Sequence, residues 1–249
     1  MRYSGSKRRF VKEFLPLLME HTDENTIFVD AFCGGANVIS EVPLRNKVGI
    51  EVNKYVCALW MHLHSCGMEG IPQQVTKEEY MAIKNDYVNK GYEYPDWLIG
   101  YVGVCCSYGG AWFNGYANYN PNKNEDHIAE AYRGLEKQVE NFKFFDTTEF
   151  FNCSYADFVY PKNSVIYCDP PYAGKKQYES DFDNDAFWEW VREMSKNGYR
   201  VYVSEYAAPD DFKCVWSQHR KDGMGTTLPG RIQKLVTEKL FVYNDKDKV

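Results

Sequence analysis

Asp169, Pro170, Pro171 and Tyr172 follow directly on Val165, Ile166, Tyr167 and Cys168. The four preceding residues read as a short buried strand, β-branched and aromatic. Pro170 and Pro171 have no N–H to continue a ladder, and each proline holds the residue before it extended. The pattern predicts a stiff loop at a strand end that presents a carboxylate, a backbone carbonyl outside the ladder and an aromatic ring. A flipped nucleobase with an exocyclic amino group uses all three, with its N–H groups on the two oxygens and its π-face on the ring. The same four residues also suit a turn that does no more than end a strand.

A second candidate site lies at Phe32 to Asn37, F-C-G-G-A-N, after the apolar run T-I-F-V-D-A-F. Two adjacent glycines let a backbone approach a ligand closely, and a helix expected to begin at Val38 and Ile39 would offer its N-terminus to a polar or anionic group. Glu51 stands at the end of the next short strand, Lys47 to Ile50, and lies 17 residues after Gly34 (51 − 34). That is close to the roughly 20 residues that separate glycine loop and ribose-binding acid in nucleoside-binding α/β units. No G-x-G-x-x-G is present, so a nucleoside ligand without a diphosphate fits better than a dinucleotide. A tight turn followed by a surface glutamate is the plainer alternative.

The elements that must hold these residues are legible in outline. Phe10, Phe14 and Leu17 or Leu18 have helical spacing over Ser6 to Leu15, with Pro16 ending or bending the helix. Tyr55 to Leu63 is apolar at Tyr55, Leu59 and Leu63 and reads as a helix. From residue 65 to 142 strands thin out, and Gly, Tyr, Asn and Trp become frequent, notably in Cys105 to Asn120. Asp126 to Phe142 reads as a helix with Ile128, Ala131, Leu135, Val139 and Phe142 on one side. Asp183 or Asn184 is placed to cap a helix bearing Phe187, Val191 and Met194 that stops at Gly198. Tyr199 to Ser204 and Leu235 to Tyr243 read as strands. The expected fold is α/β, with 65–142 inserted between two halves of a core sheet.

Composition narrows the chemistry further. The 249 residues are 44% apolar, enough for a full core, and the 16% aromatic fraction is rich in tyrosine. No run approaches the roughly 18 apolar residues of a membrane span, and M-R-Y-S-G-S-K-R-R-F lacks the apolar stretch of a signal peptide, so a cytoplasmic protein is expected. The eight cysteines contain no C-x-x-C pair, and His62, His64 and Cys66 alternate in a way that points them apart on a helix; no metal site is expected. Net charge is −6, yet residues 1–12 carry Arg2, Lys7, Arg8, Arg9 and Lys12 without an acid. Residues 213–234 carry Lys213, Arg220, Lys221, Arg231 and Lys234 against Asp222. Two basic strips on an acidic chain can hold a phosphate backbone locally, or can be solvated faces.

The order F-C-G-G-A-N, an insertion, then D-P-P-Y resembles the S-adenosylmethionine-dependent DNA adenine-N6 methyltransferases, in the branch whose target-recognition domain lies between the cofactor and catalytic motifs. The likeness extends to Y-S-G-S-K at Tyr3 to Lys7, E-V-N at Glu51 to Asn53, S-Y-A-D-F at Ser154 to Phe158, S-E-Y at Ser204 to Tyr206 and E-K-L-F at Glu238 to Phe241. It implies a Rossmann-like methyltransferase sheet with helices on both faces, made of residues 1–64 and 143–249, and a mainly helical or irregular target-recognition domain at 65–142. It implies S-adenosylmethionine as cofactor and double-stranded DNA as partner, with no metal and no membrane, in a monomer or weak dimer of a bacterial or phage-infected cell.

Carried onto this chain, the resemblance makes Asp169, Pro170, Pro171 and Tyr172 the catalytic group. Phe32, Gly34 and Gly35 would line the methionine end of the cofactor, Glu51 the ribose, and Asp157 with Phe158 the adenine, while Tyr3 and Lys7 close over it; Asp30, Asn53 and Asp169 complete that set. Arg8, Trp112, Asn114, Tyr116, Asn118, Lys175 and Arg231 would touch DNA. Many members have a basic residue after F-N-G that reads bases, and here Tyr116 to Tyr119 has none. Transfer to cytosine N4, to RNA adenine or to a protein glutamine shares this shape, although relatives acting on glutamine tend to carry Asn, and many acting on cytosine Ser, where this chain has Asp169. A non-catalytic DNA-binding relative is the third alternative.

Overall fold

The structure, a computed structural model, describes residues 1–120, 124–171, 182–221 and 235–244. Among them seven strands form one sheet in the order β3-β2-β1-β4-β5-β7-β6. The strands are β1 (Ile27–Asp30), β2 (Lys47–Ile50), β3 (Thr148–Phe151), β4 (Ser164–Cys168), β5 (Arg200–Glu205), β6 (Phe212–Lys221) and β7 (Leu235–Tyr243). The first five run parallel, whereas β7 is antiparallel to both β5 and β6. Strands β2 and β4 are buried along their whole length, so β4 reads as an apolar run after Ser164, whereas β2 buries Lys47 along with its apolar residues.

Helices cover both faces. Phe28, Val165 and Tyr167 point to the side shared by α1 (Val11–Leu18), α2 (Lys54–Cys66), α3 (Lys77–Asn89), α4 (Asp96–Cys105) and α5 (His127–Asn141). Val29, Ile166 and Cys168 point to the opposite side, against Phe187 and Val191 of α6 (Asn184–Lys196). Local signals set most helix starts. Asn53, Thr76, Asp126 and Asp183 each cap a helix with a side-chain oxygen, and Thr76 forms a full capping box with Glu79. Gly198 beyond α6 adopts φ +90°, as a helix-ending glycine should.

Two expectations change, and a further strand appears. The helix expected at Val38 and Ile39 is only a 3₁₀ turn, Ile39–Glu41. Its carbonyls are taken by a buried lysine: Lys47 Nζ donates to Ile39 O at 3.2 Å and Val42 O at 3.5 Å, and also to Lys143 O. Burial, with Lys143 close by, lowers the Lys47 ammonium to about 7. Pro16 does not end α1, which runs on to Leu18 from a start at Val11 rather than Ser6. The edge strand β6, with mixed polarity in F-K-C-V-W-S-Q-H-R-K, has no alternation strong enough to be read; its pairing with β7 defines it.

Residues 65–142 pack directly on the sheet's own core. Ile99, Tyr101 and Val104 of α4 and Ile128 and Leu135 of α5 belong to the cluster that contains Phe28 and Val165. Gly100 explains how close α4 comes: a Cβ there would lie 2.1 Å from Tyr55 O on α2. No helix among the described residues is long and apolar enough to cross a membrane.

Candidate functional site

The sheet order reverses between β1 and β4. From β1 the chain proceeds to β2 and β3 on one side, and from β4 to β5 on the other. In open α/β sheets the crevice beyond the carboxyl ends of such a pair is where ligands bind, because the two following loops diverge there. The loop after β1 is Ala31 to Asn37 and the loop after β4 begins at Asp169. Asp30 pairs with Tyr167 in register, and Ala31 N donates to Tyr167 O at 2.9 Å, so the two loops leave the sheet side by side.

The glycine loop is fastened from four directions. Glu51 Oε2 accepts from Gly34 N at 2.8 Å while Oε1 accepts from Asn53 N at 2.8 Å. Trp60 Nε1 donates to Gly34 O at 2.8 Å. Gln138 Nε2, from α5, donates to Gly35 O at 2.9 Å and Ala36 O at 3.2 Å. Tyr3 lies across the glycines: a Cβ at Gly34 (φ +46°) would stand 2.8 Å from Tyr3 Cε1, and one at Gly35 2.6 Å from Tyr3 Cβ. The N-terminal segment is itself held, with Ser4 N donating to Gly110 O at 3.0 Å.

On the β4 side, Lys7 reaches Asp169. Its Nζ donates to Oδ1 at 2.7 Å and Oδ2 at 2.9 Å, and to Gly5 O at 3.1 Å, with Glu238 Oε2 at 3.8 Å. Lys7 is 3% exposed, whereas the Asp169 side chain remains 22% exposed toward the crevice. Glu205, at the end of β5, is buried beside these groups; its Oε1 accepts from Tyr206 N at 2.9 Å and its Oε2 has no partner among the described residues. Burial, then the charge of Asp169, raises its carboxyl to about 7 against the pull of Lys7 and the Tyr206 N–H.

Asp30 is the most perturbed acid of the crevice. It is 2% exposed, and its Oδ1 has no partner among the described residues. Burial pushes its carboxyl up to about 8, with the negative charge of Asp169 adding to the effect and the N–H groups of Phe32 and Ile39 opposing it. Burial also raises Glu51, opposed by the bonds from Asn53 and Gly34. A buried acid left half-satisfied and protonated near neutrality is suited to a ligand that brings donors or positive charge.

The sequence-predicted residues distribute unevenly. Tyr3, Lys7, Asp30, Gly34, Gly35, Glu51 and Asp169 converge on the crevice. Pro170 is buried and Pro171 half-buried. Asn53 spends its Oδ1 capping α2, at 3.0 Å from Tyr55 N. Phe32 faces the α6 side, packed on Tyr155 at 5.1 Å and Phe187 at 5.7 Å. Asp157 is exposed in the turn after β3, and Phe158 leans on Phe151 and Tyr160. Trp112 and Tyr116 are half-buried: Trp112 stacks on Tyr55 at 5.9 Å, and Tyr116 Oη donates to Val75 O at 2.7 Å. Arg8, Asn114 and Asn118 are exposed. Tyr172, Lys175 and Arg231 lie outside the described residues. Among the described residues no group of His, Cys, Asp or Glu side chains is placed to hold a metal ion.

Sequence reasoning missed Trp60 and Gln138, which fasten the loop, and gave Glu205 and Glu238, which sit beside Lys7 and Asp169, only as parts of the S-E-Y and E-K-L-F likeness. A signal existed for two of them. Gln138 falls three residues after Leu135 on the apolar stripe of α5, and Glu238 shares its face of β7 with Leu240, so each is a polar residue at a core position.

The family described as D12 class N6 adenine-specific DNA methyltransferase matches residues 3–211. The type II methyltransferase M.FokI of Planomicrobium okeanokoites is 26% identical over 213 residues, covering 77% of this chain and 31% of that protein. The chain thus spans about a third of the length of this curated relative. A solved structure of SMU.472 complexed with SAH overlays 97% of this chain on 54% of its own, at 12% identity and a TM-score of 0.38.

Proposed function

Since this chain belongs to the D12 class N6 adenine-specific DNA methyltransferase family, we propose that it transfers a methyl group from S-adenosylmethionine to N6 of an adenine flipped out of duplex DNA. The observation that carries this reading is the switch-point crevice, where the Gly34–Gly35 loop and Asp169-Pro170 leave adjacent parallel strands.

The residues present fit the cofactor. Gly34 and Gly35 bring the loop backbone up against Tyr3 with no room for a Cβ, and the buried Asp30 Oδ1 offers an unused acceptor. Each Glu51 oxygen accepts one backbone N–H and keeps a second lone pair for a ribose hydroxyl. Asn53 holds the start of α2 behind Glu51, Asp157 and Phe158 form the adenine end, Phe32 backs the loop, and Tyr3 and Lys7 close the crevice from above. When bound, S-adenosylmethionine supplies an electrophilic methyl on a sulfonium, and the C–S pair returns to sulfur as the N–C bond forms.

The chain's own task is to make a poor nucleophile attack. The adenine amino lone pair is delocalised into the ring, so the amine is nearly planar. N–H groups bonded to the Asp169 carboxylate and the Pro170 carbonyl favour the pyramidal form and stabilise the positive charge that develops on nitrogen. Lys7 now spans both Asp169 oxygens. An arriving amine can use the second lone pair of an Asp169 oxygen while Lys7 holds the carboxylate in place. Asp169 or water takes the proton from the methylated ammonium. Tyr172 is assigned the stacking contact, worth about 1–3 kcal/mol toward the cost of flipping.

In this reading residues 65–142 are the target-recognition insertion on the sheet made of 1–64 and 143–249. Arg8, Trp112, Asn114, Tyr116, Asn118, Lys175 and Arg231 are its DNA contacts. The protein acts as a monomer or weak dimer in the cytoplasm of a bacterial or phage-infected cell.

The test is to incubate the protein with labelled S-adenosylmethionine and, in parallel, duplex DNA, RNA and cell protein. Label on adenine N6 of DNA alone is the expected outcome; label in protein alone sinks the proposal. Asp169→Ala should abolish transfer and leave cofactor affinity within about threefold, since the lost bonds act mainly in the transition state.

A further inference from the structure

The short turn Ile39–Glu41 borders a feature away from the crevice. Between α1, the turn and α5 lies an open pocket of about 320 Å³. Four cations surround it: Arg8 and Lys12 from the start of α1, Lys137 from α5, and Lys143 just beyond α5. Glu41 is the one acid in the lining.

Few cations among the described residues are ion-paired, and these four stand out by gathering around one pocket. Arg2, Lys54 and Arg192 each reach a carboxylate, at 3.7, 3.2 and 2.5 Å. None of the four around the cavity has an ion pair among the described residues, and Lys143 instead donates to the Glu41 backbone carbonyl at 3.2 Å. Like charges gathered without counter-charge repel one another, and an anion between them relieves that repulsion. The inner wall is polar as well. Asn37 and Gln138 line the cavity, are 7% and 6% exposed, and each keeps a side-chain oxygen without a partner among the described residues. Water or a ligand hydroxyl brought in with the anion would satisfy those acceptors.

We propose that this cavity is a phosphoryl-anion site, in which Arg8, Lys12, Lys137 and Lys143 hold either a backbone phosphate of DNA away from the flipped base or the phosphate of a small free molecule. Phosphate suits it better than carboxylate, because three or more oxygens can engage cations arriving from α1 and α5 together. Gln138 joins the cavity wall to the carbonyls of Gly35 and Ala36, so an occupied site sits one side chain behind the glycine loop. The proposal does not depend on methyl transfer, and the two fail separately.

The experiment uses the whole chain and the pair variant K12Q/K137Q, with K162Q/K196Q as a control on exposed lysines elsewhere. Pyrophosphate is titrated calorimetrically at low salt, and binding of a duplex DNA is measured against salt concentration. The pair variant should lose tenfold or more in pyrophosphate affinity while the control matches wild type. If the anion is DNA phosphate, the slope of log K against log salt becomes shallower by about 1.8, from two contacts at about 0.9 each. Loss of pyrophosphate binding with an unchanged slope assigns the site to a small phosphorylated molecule. The proposal is overturned if wild type does not bind pyrophosphate at millimolar concentration, or if the pair variant binds it equally well. Methylation of the same DNA, measured alongside, reports only on the proposed transferase activity.

Discussion

Replacing Asp30 by Asn should stabilise the protein at alkaline pH and weaken its hold on S-adenosylmethionine. Asn has the shape of a protonated carboxyl and cannot ionise, so it imitates the state that the folded chain imposes on Asp30. The folded value is near 8 and the ordinary one 3.8. A carboxyl raised on folding contributes stability that is fully present below about 3.8 and is lost as pH rises to about 8. Wild type therefore weakens over that window from this group, whereas Asp30→Asn does not. Between pH 5 and pH 8 the difference spans about three pH units at about 1.36 kcal/mol each, or roughly 4 kcal/mol. Relaxation and water entry reduce such costs for buried charges, so about 2–4 kcal/mol is expected. Urea unfolding of both proteins at the two pH values measures it. A gain that is the same at pH 5 and pH 8, or a variant less stable at pH 8, refutes the reasoning. A second readout addresses function. If Asp30 faces the cationic cofactor, binding near pH 7 should release a proton, seen as a dependence of the binding heat on buffer, and the variant should lose both that release and at least tenfold in affinity.

Gly35→Ala places a methyl 2.6 Å from Tyr3 Cβ and from Asn37 Nδ2; Tyr3 must move, and cofactor affinity by calorimetry should fall tenfold or more. Gln138→Leu leaves the Gly35 carbonyl without its buried donor, while Ala36 O keeps Ser40 N at 3.2 Å, which should cost about 1–3 kcal/mol in urea unfolding and weaken cofactor binding through a looser loop. Glu205→Gln removes an acid whose folded value is near 7 against an ordinary 4.5. The stability that wild type loses as pH rises from about 4.5 to about 7 should not be lost in the variant, so unfolding curves that shift in parallel across that range would count against the assignment.

The two motif loops were legible because both are local. Val165 to Cys168 and Phe28 to Asp30 are apolar runs that end in residues unable to continue a strand, and Pro170, Pro171, Gly34 and Gly35 mark those ends by their backbone chemistry alone. The cap Asp183 was equally local, since an N-cap needs only its own side chain and the next few N–H groups, whereas the Asn53 cap was read as a cofactor contact. The 3₁₀ turn at Ile39–Glu41 was not legible. Lys47 and Lys143 decide it, and neither is a neighbour in sequence.

By itself, then, the sequence determined which residues are candidates for chemistry: an Asp-Pro-Pro loop, a paired-glycine loop and an acid 17 residues beyond it. Tertiary structure decided what state those residues are in. Asp169 meets Lys7 across 162 positions, Gln138 reaches Gly35 across 103, and Asp30 is kept near protonation by burial beside Asp169. Residue type and spacing report backbone preference over a few residues. Ionisation, loop fastening and the cavity between α1 and α5 depend on desolvation and on charges brought together only by folding.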